Sequence, residues 1–322
     1  MFGKKGELST QQIIMLIILI ASFVVILIFL FRLNLGKESD QEVCHNSVVL
    51  RSSSALPSES TPLKCYTDYV CVTEDGNCGD MVNPTTEKVK TEDELYNVLA
   101  EQMANCWWMF GAGTMNYVGD DLTKNNYCSI CSQIYFDNSL TNIDAFSDGV
   151  ISKDNLYYYL ANNEYSEGET YAQYIFGTND IDLLKDQISN AENNTWNVAT
   201  FGEINVGERY LTVMGITSQV SFLKWAGVGS GAGAVLSGVV AFVVLSNPVG
   251  WVGGAIIAGG AVVGGVVGGT GGTSVAESVN LEIAAIPVKG NGVDNLFMAP
   301  TIVKADSEAF DSLNCEDVLT LG

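Results

Sequence analysis

The residues best suited to chemistry are eight cysteines and a single histidine. Cys128 and Cys131 have the CxxC spacing, which occurs in redox dithiols, in half of a zinc site and in pairs of structural half-cystines. No thioredoxin-like βαβ pattern surrounds the motif, and the chain has no second, matched CxxC. Structural disulfides are therefore the favoured interpretation.

His45 lies directly after Cys44 and is the only histidine in the chain. A single histidine leaves little scope for a Ser/His/Asp or Cys/His catalytic arrangement. Zinc binding by these two residues together with the CxxC pair is open in principle, although nothing in their spacing requires it. We expect a structural role for His45, and we expect no catalytic residue, cofactor or metal site.

A segment beginning at Asp144 resembles the start of a calcium-binding loop, with Gly149 at the position of the sharp turn. Phe146 occupies the place of an oxygen ligand, and Asn155 replaces the bidentate glutamate at the end of such a loop. These two departures argue against an EF-hand. A turn before a helix is the simpler interpretation, and a looser cation site is the alternative.

All the cysteines are candidates for disulfide bonds, because an even number in an exported chain indicates a structural framework. Their spacing does not determine the pairing. The candidates are Cys44, Cys65, Cys71, Cys78, Cys106, Cys128, Cys131 and Cys315.

The chain is strongly acidic, with 37 acidic residues against 15 lysines and arginines and a formal net charge of -22. Such a surface repels phosphate backbones, so nucleic acid is excluded as a partner. Solubility, high external salt or cation binding would each account for the excess of acidic residues.

The first apolar block, Ile13–Phe31, contains no charged residue and follows Lys4 and Lys5. At 1.5 Å per residue it nearly matches a hydrocarbon core of about 30 Å. The residues after it do not form a signal-peptidase site, so we predict an uncleaved signal anchor with its N-terminus in the cytoplasm.

The second apolar block runs from Trp225 to Ala276 and is interrupted at Asn247-Pro248. This interruption predicts a transmembrane helical hairpin whose two helices are Ala226–Leu245 and Val249–Gly269. Small residues at four-residue spacing would form helix-packing grooves. They are Gly229, Gly233 and Ser237 in the first half, and Gly260, Gly264, Gly268 and Gly272 in the second.

The remaining sequence predicts an α+β ectodomain with an antiparallel sheet, stapled by disulfides. Thr91–Glu94 forms a capping box for a helix that ends near Phe110, before Gly111 and Gly113. Trp107-Trp108 in that helix are core residues or a membrane-interface pair. Further helices are expected at Asp154–Ala161 and Ile181–Ala191, and strands at Trp196–Phe201, Tyr210–Ile216, Val279–Val288 and Thr301–Ala305.

These predictions give four segments: an anchor helix at 1–33, a first ectodomain part at 34–224, the hairpin at 225–272, and a second ectodomain part at 273–322. Pairing of strands before and after the hairpin would make it an insertion in one sheet. Three spans would place every cysteine on the oxidising, extracellular side.

The N-terminal sequence Lys4-Lys5-Gly6-Glu7-Leu8-Ser9-Thr10 before an apolar helix resembles archaeal class III, pilin-type signal sequences. The resemblance implies cleavage after Gly6 and a filament-forming helix, although the large ectodomain and the hairpin depart from pilins. Three further segments resemble uncharacterised membrane-anchored surface proteins of small-genome, DPANN-type archaea. They are Cys44-His45-Asn46-Ser47, Cys106–Gly111 and the CxxC motif.

Three classes of function follow. The first is a structural or interaction protein on the cell surface, with the lipid bilayer and another surface protein or cell as partners. The second is a membrane-active protein that forms homo-oligomers or pores through its hairpin. A CxxC oxidoreductase ranks last, and a pilin-like filament subunit is a variant of the first class.

Overall fold

The computed structural model describes residues 10–32, 35–53, 60–79, 81–118, 126–182, 199–218, 281–282, 286–290, 295–313 and 315–320. They divide into two compact units, Met1–Glu42 and Val43–Gly322. Three predictions lie outside the described residues: the cleavage after Gly6, the hairpin of residues 225–272 with all seven of its packing residues, and most of the Ile181–Ala191 helix.

Helix α1, Thr10–Arg32, dominates the first unit. The structure describes its side chains from residue 14 to residue 28, and all of these are exposed except the intermediate Leu27. Ser22 donates its hydroxyl to the Leu19 carbonyl at 2.9 Å, so its polar group is satisfied within the helix. In the described part of the chain, no helix combines the length and apolarity needed to cross a bilayer. The predicted anchor therefore stays a prediction.

Helix α2 spans Leu35–Ser53 and continues into the second unit. The other helices are α3 Glu92–Met109, α4 Lys153–Asn162, α5 Tyr171–Phe176 and α6 Glu308–Ser312. The strands are β1 Asp68–Thr73, β2 Thr85–Lys88, β3 Asn126–Phe136, β4 Val150–Ser152, β5 Glu164–Ser166, β6 Glu169–Thr170, β7 Ala199–Thr200, β8 Glu203–Asn205, β9 Arg209–Ser218, β10 Leu281–Glu282, β11 Pro287–Lys289, β12 Asn295–Lys304 and β13 Cys315–Val318.

Seven of these strands form one mixed sheet in the order β11-β12-β9-β3-β1-β2, with β13 also paired to β3. The pairs from β11 to β3 are antiparallel, as predicted, whereas β1, β2 and β13 are parallel to their partners. The predicted antiparallel sheet is thus confirmed on the side of β9 and β12, and the prediction included no strand on the side of β1, β2 and β13. β1 was missed because the sequence around Cys65–Cys78 has the turn residues of a loop.

Strand β9 pairs with β12, and Ser218 lies opposite Asn295 in the register. This confirms that strands on the two sides of residues 225–272 pair in one sheet. Val279–Val288 is wrong as a single strand, because β10 pairs with β7 in a separate two-stranded sheet while β11 pairs with β12. Within β12 the register shifts between Met298 and Thr301, so Pro300 lies where its missing N–H is tolerated.

Helix α3 begins as the capping prediction requires. Thr91 accepts the Glu94 N–H at 3.2 Å, and the Glu94 carboxylate accepts the Lys90 N–H at 2.6 Å. The return bond thus goes one residue further back than in a standard capping box. The helix ends at Met109, and Gly111 and Gly113 follow with positive φ angles of 81° and 71°. Helix α4 likewise confirms the prediction at Asp154–Ala161.

The sheet is covered on both faces. α3, α4 and α5 pack on one face over the main core, which includes Leu99, Ile134 and Met214. α6 packs on the other face over a smaller core that includes Cys128 and Leu313. Because β3 is buried on both faces, it lacks the alternation of apolar and polar residues that identifies a half-exposed strand.

We expect Gly113→Ala to destabilise the fold more than Gly149→Ala. Both glycines have positive φ, which costs an L-residue roughly 1–2 kcal/mol. A Cβ at Gly113 would lie 2.9 Å from the Trp107 ring, whereas a Cβ at Gly149 would meet no atom within 4 Å. The clash should add about 1–3 kcal/mol to the loss at Gly113. Unfolding in denaturant measures both values, and equal losses would contradict a fixed Trp107 ring.

Candidate interaction surface

All eight cysteines are paired, which confirms the prediction of structural disulfides. No free cysteine occurs in this set, and the two cysteines of the CxxC motif bond to different partners rather than to each other. The bonds are Cys44–Cys65, Cys71–Cys78, Cys106–Cys131 and Cys128–Cys315.

The strand conformation of β3 separates the CxxC sulfurs. Residues three apart in a strand point to opposite faces. Cys128 joins the smaller core beneath α6, and Cys131 joins the main core beneath α3. A register shift between Ile130 and Ser132 accommodates Cys131 at a bulge. One strand therefore carries covalent links to a helix on one side and to β13 on the other.

His45 has a structural position, as its sequence context predicts. Its Nδ1 lies 2.8 Å from the Trp108 carbonyl oxygen, and its ring stacks on the Trp108 indole with centroids 4.3 Å apart. Since a carbonyl oxygen only accepts, Nδ1 carries the proton. The neighbouring Cys44 is bonded to Cys65. Across the described ranges, no group of three or more histidine, cysteine or acidic side chains is arranged to hold a metal ion.

The segment that resembles a calcium loop folds as a turn before β4 and α4. Asp144–Phe146 is a short 3-10 helix, and Phe146 is buried in the core. Asp148 accepts the Val150 N–H at 3.1 Å through its side chain, so this carboxylate closes the turn. The simpler interpretation of the sequence is the one that the fold supports.

Trp107 is a core residue. Its side chain is 2% exposed, its indole N–H donates to the Tyr174 carbonyl at 3.1 Å, and its ring meets the edge of Phe297. Trp108 is partly buried against the same core. These contacts connect α3 to α5 and to β12.

A concentration of tyrosines was not identified from the sequence. Of the 13 tyrosines in the chain, those at positions 157, 158, 159, 165, 171 and 174 belong to one short stretch. This stretch forms α4, the β5–β6 hairpin and α5. The tyrosines have no single period, because three different elements contribute them, and a search for helical or strand periodicity therefore passes over them.

Four of these residues surround the outer side of α3. Tyr165 and Tyr174 stack with centroids 4.2 Å apart, and Tyr171 packs against Tyr165. The Tyr171 hydroxyl donates to Glu101, and the Tyr159 hydroxyl donates to the Asn97 side chain at 3.3 Å. We call the surface formed by Asp93, Asn97, Glu101, Tyr159, Tyr165, Glu169 and Tyr174 the tyrosine face.

The charges around these rings are all negative. Burial raises the pKa of Tyr159, and Asp93 and Glu101 raise it further. Burial likewise raises the pKa of Tyr174, with Tyr165 and Glu169 adding to it. No basic group contributes to either shift. Helix α3 has no basic residue, and Lys153 is the only lysine or arginine between residues 126 and 182.

Lys153 does not neutralise this surface, because its side chain is 3% exposed. Its ammonium group donates to the Ile302 carbonyl on β12 at 3.4 Å. Within the part of the chain that the structure describes, the tyrosine face therefore combines aromatic rings with carboxylates and includes no lysine or arginine. Such a surface is suited to binding rather than to proton transfer or nucleophilic chemistry.

We expect removal of the Cys128–Cys315 bond to cost more stability than removal of Cys71–Cys78. The first closes a separation of 187 residues and the second one of 7. Chain entropy predicts losses of about 5 and about 2 kcal/mol respectively. Paired alanine variants, unfolded in denaturant without reductant, measure the difference. Equal losses would show that loop closure is not the source of the stabilisation.

We expect stability to fall as the pH rises above about 10, the ordinary tyrosine pKa. A hydrogen bond to Asp182 raises the pKa of Tyr158 to about 12, and burial raises that of Tyr171. The folded state keeps these protons up to a higher pH than the unfolded state does. The contribution of these tyrosines to the free energy of unfolding is therefore complete below the unfolded pKa and is lost as pH rises through the folded pKa. Phenolate absorbance and unfolding free energy across this range test the expectation, with Tyr158→Phe as the control that removes one group.

No protein family profile, curated protein or solved structure matches the chain.

Proposed function

We propose that the protein is a membrane-anchored cell-surface protein that displays a disulfide-stapled α+β ectodomain for contact with other surface molecules. The observation that carries this proposal is the unbroken exposure of apolar side chains along α1. Twelve large apolar side chains between Ile14 and Ile28 are exposed, and Met15 reaches 70%.

Exposure on this scale is unfavourable in water. Burying one such side chain is worth about 1.5–3 kcal/mol, so the set as a whole represents tens of kcal/mol. A contiguous apolar surface of this size marks a membrane or protein contact. As a helix, the uncharged block Ile13–Phe31 would extend about 28 Å, close to the thickness of a hydrocarbon core. A lipid bilayer surrounds a helix with hydrocarbon, so it removes apolar side chains on every side of the helix from water at once.

The disulfides support an oxidising location for the second unit. Four bonds in one domain are typical of secreted and cell-surface proteins and rare in the reducing cytosol. Lys4 and Lys5 favour a cytoplasmic N-terminus. Together these features support a protein of the cell membrane with an extracellular ectodomain.

A second candidate function is membrane activity through the predicted hairpin. The chain leaves the main sheet after Ser218 in β9 and returns to it at Pro287 in β11, and β12 lies between these two strands, which is compatible with a hairpin inserted at this side of the sheet. A segment that crosses a bilayer twice has this geometry at its ends. Oligomerisation or pore formation would then depend on the glycine-rich helices, and a pilin-like filament would have to accommodate the same insertion.

The anchor is tested by placing arginines in α1. We expect Ile20→Arg/Val24→Arg to prevent α1 from inserting, because each arginine near the centre of a span costs about 2.5–3.5 kcal/mol on insertion scales. Ile20→Leu/Val24→Leu is the matched control. The full chain is expressed with its native N-terminus, and external protease then reports whether the ectodomain has been translocated.

Translocation in the parent and the leucine variant, with loss in the arginine variant, is the expected pattern. Equal translocation of all three proteins would show that α1 is not the anchor. A parent protein that is released from membranes by alkaline carbonate would contradict integral anchoring altogether.

A further inference from the structure

We propose that the tyrosine face binds a lysine- and arginine-rich segment of another protein. The inference rests on the proposed function, which requires the ectodomain to contact a partner, and it assigns that contact to a place and a chemistry. The site is a juxtaposition of stacked tyrosine rings with carboxylates from α3 and from the β5–β6 hairpin.

Charge complementarity selects a cationic partner. Asp93, Asn97 and Glu101 are spaced four apart, so they share the outer side of α3. Glu164, Glu167 and Glu169 belong to the β5–β6 hairpin and its turn. Among the described residues, α3 has no base, Lys153 is buried, and Lys90 just before α3 pairs with Glu74. An anionic or neutral partner would leave these carboxylates uncompensated.

The tyrosines add a recognition element that an acidic patch alone lacks. Tyr159, Tyr165 and Tyr174 are neither fully exposed nor buried, so part of each side chain is available to a ligand. A guanidinium or ammonium group over an aromatic ring is attracted by the ring quadrupole, and arginine does this most often. Carboxylates beside the same ring provide bidentate acceptors for the guanidinium. Tyrosine and arginine are also enriched at the centres of protein interfaces.

The face is fixed before a partner arrives. Thr170 and Gln173 form a reciprocal capping box at the start of α5, which sets the direction of Tyr174. Asn163 donates its side-chain N–H to the Tyr159 carbonyl at 2.9 Å and accepts the Tyr171 N–H at 3.1 Å through its own carbonyl. These bonds hold α4, the hairpin and α5 together. Binding therefore loses little conformational freedom, which favours affinity.

The test uses the full chain in nanodiscs of phosphatidylcholine, with empty nanodiscs as the blank. The probe is a short fluorescent arginine–glycine peptide, and a peptide with citrulline in place of arginine is the neutral control. Anisotropy is measured over a series of salt concentrations. We expect binding of the arginine peptide only, weakening as salt rises because exposed charges are screened.

Two matched pairs of variants locate the site. Asp93→Asn/Glu169→Gln removes two charges from the tyrosine face, and Asp144→Asn/Glu203→Gln removes two exposed charges elsewhere. We expect the first to weaken binding roughly fivefold and the second to change it less than twofold. Tyr165→Leu should weaken binding about two- to fivefold, whereas Tyr165→Phe retains the ring and should bind as the parent does.

Equal losses in the two charge variants would overturn the proposal, because attraction to the overall charge would then suffice. Unchanged binding by Tyr165→Leu would show that the tyrosine rings do not contribute to binding. If calcium at equal charge displaced the arginine peptide completely, and if binding did not depend on Tyr165, the surface would be a cation site instead. Thermal unfolding identifies any variant that has lost its fold, and none of these outcomes affects translocation by α1, so the two proposals fail separately.

Discussion

The alternation of side chains along β3 is the constraint on which the second unit depends. The strand lies between β9 on one side and β1 and β13 on the other, and it is buried on both faces. Its two half-cystines point in opposite directions, so one fixes α3 and the other fixes β13. A single-residue slip of β3 would exchange the two faces and would place both sulfurs in the wrong core. The bulge beside Cys131 and the two disulfides together specify one register.

The distribution of the few basic residues gives the protein its electrostatic character. Lys153 is buried at the start of α4, Lys90 pairs with Glu74, and Lys304 pairs with Glu208 at 3.1 Å. Lys88 donates to the Asp75 carbonyl at 3.1 Å. These four cations are engaged within the molecule, where they hold turns and strand ends. The acidic surface of α3 and the β5–β6 hairpin is consequently left for solvent, salt or a partner.

Local signals in the sequence predicted local structure well. The Thr91 cap, the end of α3 before Gly111 and the helix at α4 each depend on contacts within a few residues, so their sequence patterns are sufficient. The pairing of β9 with β12 was predicted because both strands have recognisable composition. The strand containing the CxxC motif was missed, since burial on both faces removes its alternation and its partners are distant in the chain. The tyrosine face was missed for a related reason, because three elements and α3 contribute to it and no single segment has its pattern.

The Cys128–Cys315 bond imposes an order on biosynthesis. The other three disulfides join residues 7, 21 and 25 positions apart, so each can close soon after its second cysteine has been synthesised and exposed to an oxidant. Cys128 must wait for a partner 187 residues later, near the C-terminus. During that interval it is a free thiol three residues from Cys131, and an early bond between the two would leave Cys106 and Cys315 without their partners. Any Cys128–Cys131 bond that formed in that interval would have to be opened by thiol–disulfide exchange before Cys128 could pair with Cys315.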